Sequence, residues 1–140
     1  MAFHADIRIP PVFSLLFMLT FIFPLIRFVC IDFENPHLTP LVLFAALQLL
    51  EKAGIGKEEI AHWEVNEAFS VVALANAKLL SIDQEKLNPF GGGVSIGHPL
   101  GCSGARITGL MAIHLKSGEY GCASICNGGG GAAAILLHKI

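Results

Sequence analysis

A chain of 140 residues with a formal net charge of −2 is long enough for one domain with a sizeable core. Its composition is 54% hydrophobic and only 14% charged, which excludes an intrinsically disordered chain. The 9 Lys and Arg residues are offset by 11 Asp and Glu residues, so there is no basis for expecting nucleic acid as a partner, which requires clustered basic residues.

The N-terminal segment contains a long apolar stretch. No charged residue occurs from Ile9 to Ile26, a length close to the minimum for a membrane span. Pro10, Pro11 and Pro24 argue against a span, and neither a secretory cleavage site nor an Arg-rich transit peptide is evident. We interpret residues 1–38 as an apolar leader, either a membrane segment or, as we favour, an alternative start or gene-model artefact.

From His37 onward the pattern alternates helices with strands. Thr39 and Pro40 form a helix start, and a helix is predicted over Leu41 to Ala53, ending before Gly54. The further predicted elements are a strand over 60–65, a buried helix over 68–80, a loop over 91–99, a helix over 101–116, and strands over 123–126 and 132–138. We therefore expect residues 39–140 to form one α/β domain, with helices on both faces of a β-sheet.

Three polar residues fall where open α/β sheets bind ligands, at the carboxyl ends of strands. Asn66 follows a predicted strand, His98 lies in a loop just before a helix, and Cys126 ends a strand. Asn66 could fix a water molecule or hold a loop. The neighbouring Glu67 could act in acid–base chemistry or simply place a negative charge at a helix start.

Cys126 and His98 are the candidates for proton transfer. Cys126 runs into Gly128–Gly131, whose backbone N–H groups would favour a thiolate that acts as a base, although a small buried hydrophobe before a turn is an equal alternative. His98 precedes a helix whose positive end disfavours imidazolium, so a neutral ring could accept a thiol proton. The alternative is a loop histidine held by hydrogen bonds.

The glycine run and the four cysteines indicate neither a phosphate loop nor a zinc site. No Lys follows Gly128–Gly131, and the continuation reads as a strand, so we predict a hairpin or a close backbone approach. The cysteines, Cys30, Cys102, Cys122 and Cys126, form no C-x-x-C pair, and a reduced state is expected.

Three blocks in order resemble the signature motifs of the thiolase family. They are Asn66-Glu67-Ala68-Phe69, the segment Gly91 to Gly101 that contains Gly97-His98-Pro99, and Cys126-Asn127-Gly128 with the glycines that follow. The resemblance runs from about Thr39 to Ile140 and is greatest to the mitochondrial members. It implies a thiolase-like C-terminal domain with a mixed β-sheet, and an acyltransferase that condenses two acetyl-CoA molecules or cleaves the product.

The resemblance also implies a role for each matching residue. His98 would activate a nucleophilic cysteine and bind the thioester oxygen, together with a water molecule held by Asn66. Cys126 would exchange a proton with the methyl group of acetyl-CoA, and the N–H of Gly128 would contribute to a second oxyanion hole. A carbonyl near Val94 would be one ligand of a potassium ion.

The resemblance covers only the C-terminal domain of a thiolase, and further expectations concern what lies outside it. The family nucleophile lies in an N-terminal domain outside the matching segment, and we expect Cys102, despite its Cys102-Ser103-Gly104 context, not to replace it. The resemblance implies acyl-CoA substrates, homo-oligomers and a mitochondrial location. The competing hypothesis is a catalytically inactive, truncated isoform that binds a partner, or a membrane through residues 9–26.

Overall fold

The computed structural model describes residues 26–34, 41–127 and 130–140, and its side chains from residue 42 onward. In chain order the elements are strand β1 (Ile26–Glu34), helix α1 (Leu41–Ala53), strand β2 (Ile60–Val65), helix α2 (Ser70–Leu80), the one-turn helix α3 (Gly93–Ile96), helix α4 (Ser103–His114), strand β3 (Tyr120–Cys126) and strand β4 (Gly131–Lys139). A turn of 3-10 helix, Lys57–Glu59, precedes β2.

The four strands form one mixed sheet in the order β1-β4-β3-β2. β4 pairs antiparallel with both of its neighbours, whereas β2 and β3 run parallel. β3 and β4 are joined as the predicted hairpin, with Cys126 opposite Ala132. The expected mixed sheet is therefore confirmed.

Strand β1 was not predicted from the sequence. It lies within the segment interpreted as a leader, yet it pairs with β4 along its whole length, from Ile26 opposite Lys139 to Glu34 opposite Gly131. Residues 26–34 thus belong to the same sheet as the rest of the domain. The interpretation of the apolar stretch 9–26 lies outside the described residues, except for Ile26; among the helices that are described, none is long and apolar enough to cross a membrane.

Helices cover both faces of the sheet, as expected. α1 packs on one face with a buried stripe at helical spacing, consisting of Val42, Ala45, Ala46, Leu49 and Leu50. The same core contains Trp63 and Val65 of β2. On the opposite face, α4 buries Ile107 and Met111 against a second core that includes Ile135. The result is three layers, helix on sheet on helix.

The predicted element boundaries hold to within a few residues. α1 and β2 match their predicted ranges, α2 and α4 are shorter at their ends, and β3 begins earlier, at Tyr120. α1 stops where expected because Gly54 has a φ of 68°, and the N–H of Ile55 returns to the carbonyl of Leu50. The predicted loop over 91–99 contains the short helix α3.

The close approach of α4 to β3 depends on Gly121. A methyl group at this position would meet Met111 Sδ at 2.6 Å and Leu115 Cδ1 at 3.0 Å, and both side chains are buried. We expect Gly121→Ala to lower the free energy of unfolding by roughly 1–3 kcal/mol through overpacking.

Gly109→Ala is the matched control, because Gly109 lies on α4 itself with no atom within 4 Å of an added methyl group. This variant should raise stability by up to about 1 kcal/mol through helix propensity. Urea denaturation of the two variants would measure the difference. Equal midpoints would show that α4 does not pack this closely on β3.

Candidate active site

The parallel pairing of β2 with β3 places two of the predicted site residues at one edge of the sheet. Asn66 directly follows β2 and extends the pairing, since its N–H donates to the carbonyl of Ser124 at 2.9 Å. Cys126 ends β3 at the same edge. Both residues therefore lie at the carboxyl ends of adjacent parallel strands, as the sequence indicated.

His98 is brought to Asn66 by the loop that leads into α4. Its Nε2 lies 3.4 Å from Asn66 Nδ2, and its Nδ1 lies 2.6 Å from Ser103 Oγ. Asn66 and Ser103 are wholly buried, whereas His98 is half-buried. The imidazole is thus held from both ring nitrogens while part of it remains accessible.

Cys126 is half-buried and is positioned by the turn that follows it. The backbone N–H of Asn127 donates to Gly131 O at 2.9 Å, and the N–H of Gly131 donates back to Asn127 Oδ1 at 3.0 Å. An added methyl group at Gly131 would lie 2.6 Å from Asn127 Nδ2, so only glycine lets this side chain close the turn. Asn127 therefore fixes the end of β3 that carries the thiol.

A second set of polar contacts holds the loop on which His98 lies. Asn88, with a left-handed φ of 44°, uses its amide to bond both the N–H and the carbonyl of Val65, at 2.9 Å each. Its Nδ2 also donates to Glu67 Oε1 at 2.7 Å. The loop is thereby fastened to the last residue of β2, directly before Asn66.

Glu67 completes this attachment. Its Oε2 accepts the N–H of Val94 at 3.0 Å, and its carboxylate lies against Gly92, where any side chain would collide with it. The carboxylate therefore lies at the start of the one-turn helix α3. It joins Asn88 to α3, and so fixes the segment that continues to His98.

The structure brings some of the predicted residues together and leaves others apart. Asn66 and His98 are in contact, and Cys126 lies at the same edge, without a hydrogen bond to either among the described residues. Gly128 lies outside the described residues. Cys102 is exposed, just before α4, and Val94 is exposed on α3.

Two residues of the site, Ser103 and Asn88, were not predicted from the sequence. No local pattern distinguishes a loop asparagine or a helix-start serine that reaches a distant group.

Two further polar features lie in the protein core rather than at the sheet edge that carries Asn66 and Cys126. His62 Nε2 and Glu64 Oε1 form a buried pair at 2.8 Å along β2. Burial raises the pKa of the Cys122 thiol to about 12, so this thiol stays protonated and inert. Within the described part of the chain, no cluster of three His, Cys, Asp or Glu side chains could hold a metal ion.

The arrangement places two groups that can exchange protons at one edge of the sheet. A half-buried imidazole, oriented by a buried amide and a buried hydroxyl, lies at the sheet edge where a half-buried thiol ends a strand. This edge is a candidate site for acid–base chemistry.

Comparison with known proteins identifies the class to which this fold and site belong. Residues 26–139 match the family model of the thiolase C-terminal domain. The chain is a member of the thiolase family, and the match begins at β1, consistent with its place in the sheet.

Mitochondrial acetyl-CoA acetyltransferases are among the curated relatives of this chain. The chain is 62% identical over 96 residues to mitochondrial acetyl-CoA acetyltransferase of Danio rerio and 60% identical over 98 residues to that of Homo sapiens. These matches cover 69% and 70% of the chain but only 23% of each relative. The chain thus spans about a quarter of the length of the curated relatives it matches.

Solved thiolase structures share the fold. The Acat5 thiolase of Ascaris suum, solved in complex with coenzyme A, is 47% identical with a TM-score of 0.74, over 81% of this chain and 30% of that one. The peroxisomal 3-ketoacyl-CoA thiolase of Saccharomyces cerevisiae is 36% identical with a TM-score of 0.77, over 83% and 35%. The thiolase-like α/β fold is confirmed.

The three cysteines whose side chains are described should react with iodoacetamide in an order set by exposure and by the raised pKa of Cys122. We expect Cys102 and Cys126 to be alkylated in the folded chain and Cys122 only after denaturation, because a buried neutral thiol is a poor nucleophile. Peptide mass spectrometry over time would measure the order. Modification of Cys122 in the folded chain at the rate of Cys102 would contradict its burial.

Glu67→Gln should loosen the loop that carries His98. A carboxamide has one acceptor oxygen, so either Val94 N–H or Asn88 Nδ2 loses its partner. We expect amide exchange at Val94 to accelerate by about 10- to 100-fold, since hydrogen bonds to charged groups contribute about 1.5–3 kcal/mol. Glu58→Gln is the charge-matched control on the exposed 3-10 turn. The same exchange rate in both variants would show that Glu67 does not hold the loop.

Proposed function

We propose that this domain supplies the acid–base half of a thiolase active site, which transfers acyl groups between coenzyme A thioesters. The observation that carries the proposal is the contact between Asn66 and His98 at the sheet edge where Cys126 ends β3. The substrates would be two acetyl-CoA molecules, condensed to acetoacetyl-CoA and free coenzyme A, or the reverse pair. The complex of the Ascaris thiolase with coenzyme A supports this substrate class.

In the proposed reaction, His98 takes the proton of a nucleophilic cysteine, whose sulfur attacks the thioester carbonyl of the first acetyl-CoA. Coenzyme A leaves as the thiol after receiving that proton, and the acetyl group stays on the cysteine. Cys126, as thiolate, then removes a proton from the methyl group of the second acetyl-CoA. The resulting carbanion attacks the acyl-enzyme carbonyl, forming the carbon–carbon bond and releasing the cysteine as a thiolate. This thiolate takes up the proton held by Cys126, which restores both groups to their starting states.

The oxygen atoms that gain charge in these steps need fixed donors. His98, once it has taken the thiol proton on Nε2, and a water molecule held by Asn66 would stabilise the thioester oxygen, and the Gly128 N–H would serve the acyl-enzyme carbonyl. Asn66 Oδ1 supports the water-holding role, because it is buried and has no hydrogen-bond partner within the described residues. A buried amide oxygen of this kind is a site for an ordered water molecule.

The nucleophilic cysteine would come from a second core domain. The yeast thiolase is a five-layered structure built from two core domains of identical topology, and the described residues of this chain form one such three-layered unit. Large apolar side chains beside the site are exposed, among them Leu100 at 80%, Phe69 at 72% and Val94 at 66%. Exposed apolar surface of this extent is typical of a docking face.

A potassium ion near Val94 is a further part of the proposal. No described residue donates a hydrogen bond to the Val94 carbonyl, so this oxygen fits the role of one cation ligand. One carbonyl oxygen does not define a metal site, and no step of the reaction is assigned to the ion. A mitochondrial location is inferred from the names of the curated relatives.

The test is a domain exchange in the zebrafish mitochondrial acetyltransferase, replacing its C-terminal core domain with residues 26–140 of this chain. We expect the chimera to cleave acetoacetyl-CoA in the presence of coenzyme A. His98→Ala or Cys126→Ala should lower kcat by about 10²–10⁴-fold, the usual contribution of a general acid or base.

Cys102→Ala serves as the control, because Cys102 is exposed and outside the proposed machinery. Its activity should equal that of the unmodified chimera. A folded chimera without activity, or one that loses activity with Cys102 rather than with Cys126, would refute the proposed function.

A further inference from the structure

We propose that Ser103 is a positioning residue that holds His98 in the tautomer with its proton on Nδ1, so that Nε2 presents a lone pair, facing the Asn66 amide, which can accept a proton. This inference rests on the proposed acyl-transfer function for its purpose. Its geometric basis is independent of that function. The serine acts through His98 and need not touch a substrate.

The first argument comes from the Ser103 hydroxyl, which has one hydrogen and two neighbours. Its Oγ lies 2.6 Å from His98 Nδ1 and 3.2 Å from the carbonyl oxygen of Pro99. In this structure the hydroxyl is oriented to donate to the Pro99 carbonyl oxygen, and we take its proton to lie there. The Oγ lone pair then accepts a hydrogen bond, which requires a proton on Nδ1.

The second argument comes from the opposite side of the ring. Nε2 faces Asn66 Nδ2 at 3.4 Å, and an amide nitrogen is a donor only. A proton on Nε2 would set two donors against each other. With the proton on Nδ1, every bond runs in one direction: from Asn66 to His98, from His98 to Ser103, and from Ser103 to Pro99.

An alternative arrangement exists, which is why Ser103 matters. Turning the Asn66 amide by 180° would present its unpaired Oδ1 to Nε2 and suit the other tautomer. Asn66 alone therefore fits either tautomer, and the contact at Nδ1 selects between them. Ser103 is wholly buried at the first position of α4, so water does not readily replace its Oγ.

The selected tautomer suits the first step of the reaction. The proton of the nucleophilic thiol moves to the Nε2 lone pair, while the S–H electron pair remains on sulfur as the thiolate. The ring becomes imidazolium, with Nδ1–H still bonded to Ser103 and Nε2–H able to protonate the departing coenzyme A thiolate. A ring with its proton already on Nε2 could not accept there.

The direct test is nuclear magnetic resonance of the 140-residue chain labelled with ¹⁵N-histidine, at alkaline pH where the imidazole is neutral. Long-range proton–nitrogen correlations distinguish the two tautomers. We expect His98 to carry its proton on Nδ1 in the unmodified chain and to shift towards Nε2–H in Ser103→Ala. Thr108→Val is the matched control, since Thr108 is also buried on α4 and donates to the Gly104 carbonyl at 2.8 Å without a bond to His98.

A proton on Nε2 in the unmodified chain, or the same tautomer in Ser103→Ala, would overturn the inference. If Ser103→Ala does not fold, Ser103→Cys keeps a side chain of similar shape with a much weaker acceptor, and should show the same shift. These spectra do not depend on catalysis.

In the domain-exchange chimera, Ser103→Ala should reduce kcat about tenfold or more while leaving KM unchanged, and Thr108→Val should not. An inactive unmodified chimera would refute the proposed function. The role of Ser103 would then be decided by the tautomer measurement alone. An active chimera whose kcat is unaffected by Ser103→Ala would refute the positioning role.

Discussion

The site depends on the parallel pairing of β2 with β3. Parallel strands place their carboxyl ends side by side, so the residue after β2 and the last residue of β3 become neighbours although they are distant in the sequence. The bond from the Asn66 N–H to the Ser124 carbonyl extends this pairing beyond the strand itself. A shift of one residue would turn the Asn66 side chain to the opposite face, away from His98.

The position of His98 is set from the same strand. Asn88 bonds the backbone of Val65 on both sides, and Glu67 continues the attachment to Val94. Asn66 and His98, which meet at the site, are therefore both held in place by contacts at the end of β2. His98, although it lies in a loop, is thus held as firmly as a strand residue, which the proposed role of its imidazole would require.

The elements with strong local patterns could be predicted from the sequence. The stripe from Val42 to Leu50 has helical spacing, and Gly54 supplies the left-handed residue that ends α1. β1 could not be recognised, because its apolar residues continue an apolar run and its partner strand lies at the other end of the chain. The candidate site could likewise be predicted only in part. Asn66, His98 and Cys126 were identifiable from strand ends and from motif resemblance, whereas the bonds made by Ser103 and Asn88 depend on the path of a loop in space.

The position of β1 has a consequence for how the sheet meets other chains. The backbone segment from Lys86 to Asn88 hydrogen-bonds to Trp63 and so covers the outer edge of β2. At the other side, β1 occupies the edge that β4 would otherwise present, a run of nine residues in which Ala, Ile and Leu predominate. An uncovered strand of that composition is a template for strand addition by a second molecule. β1 therefore covers the edge of β4, and its loss would leave that edge open to pairing with a strand of a second molecule.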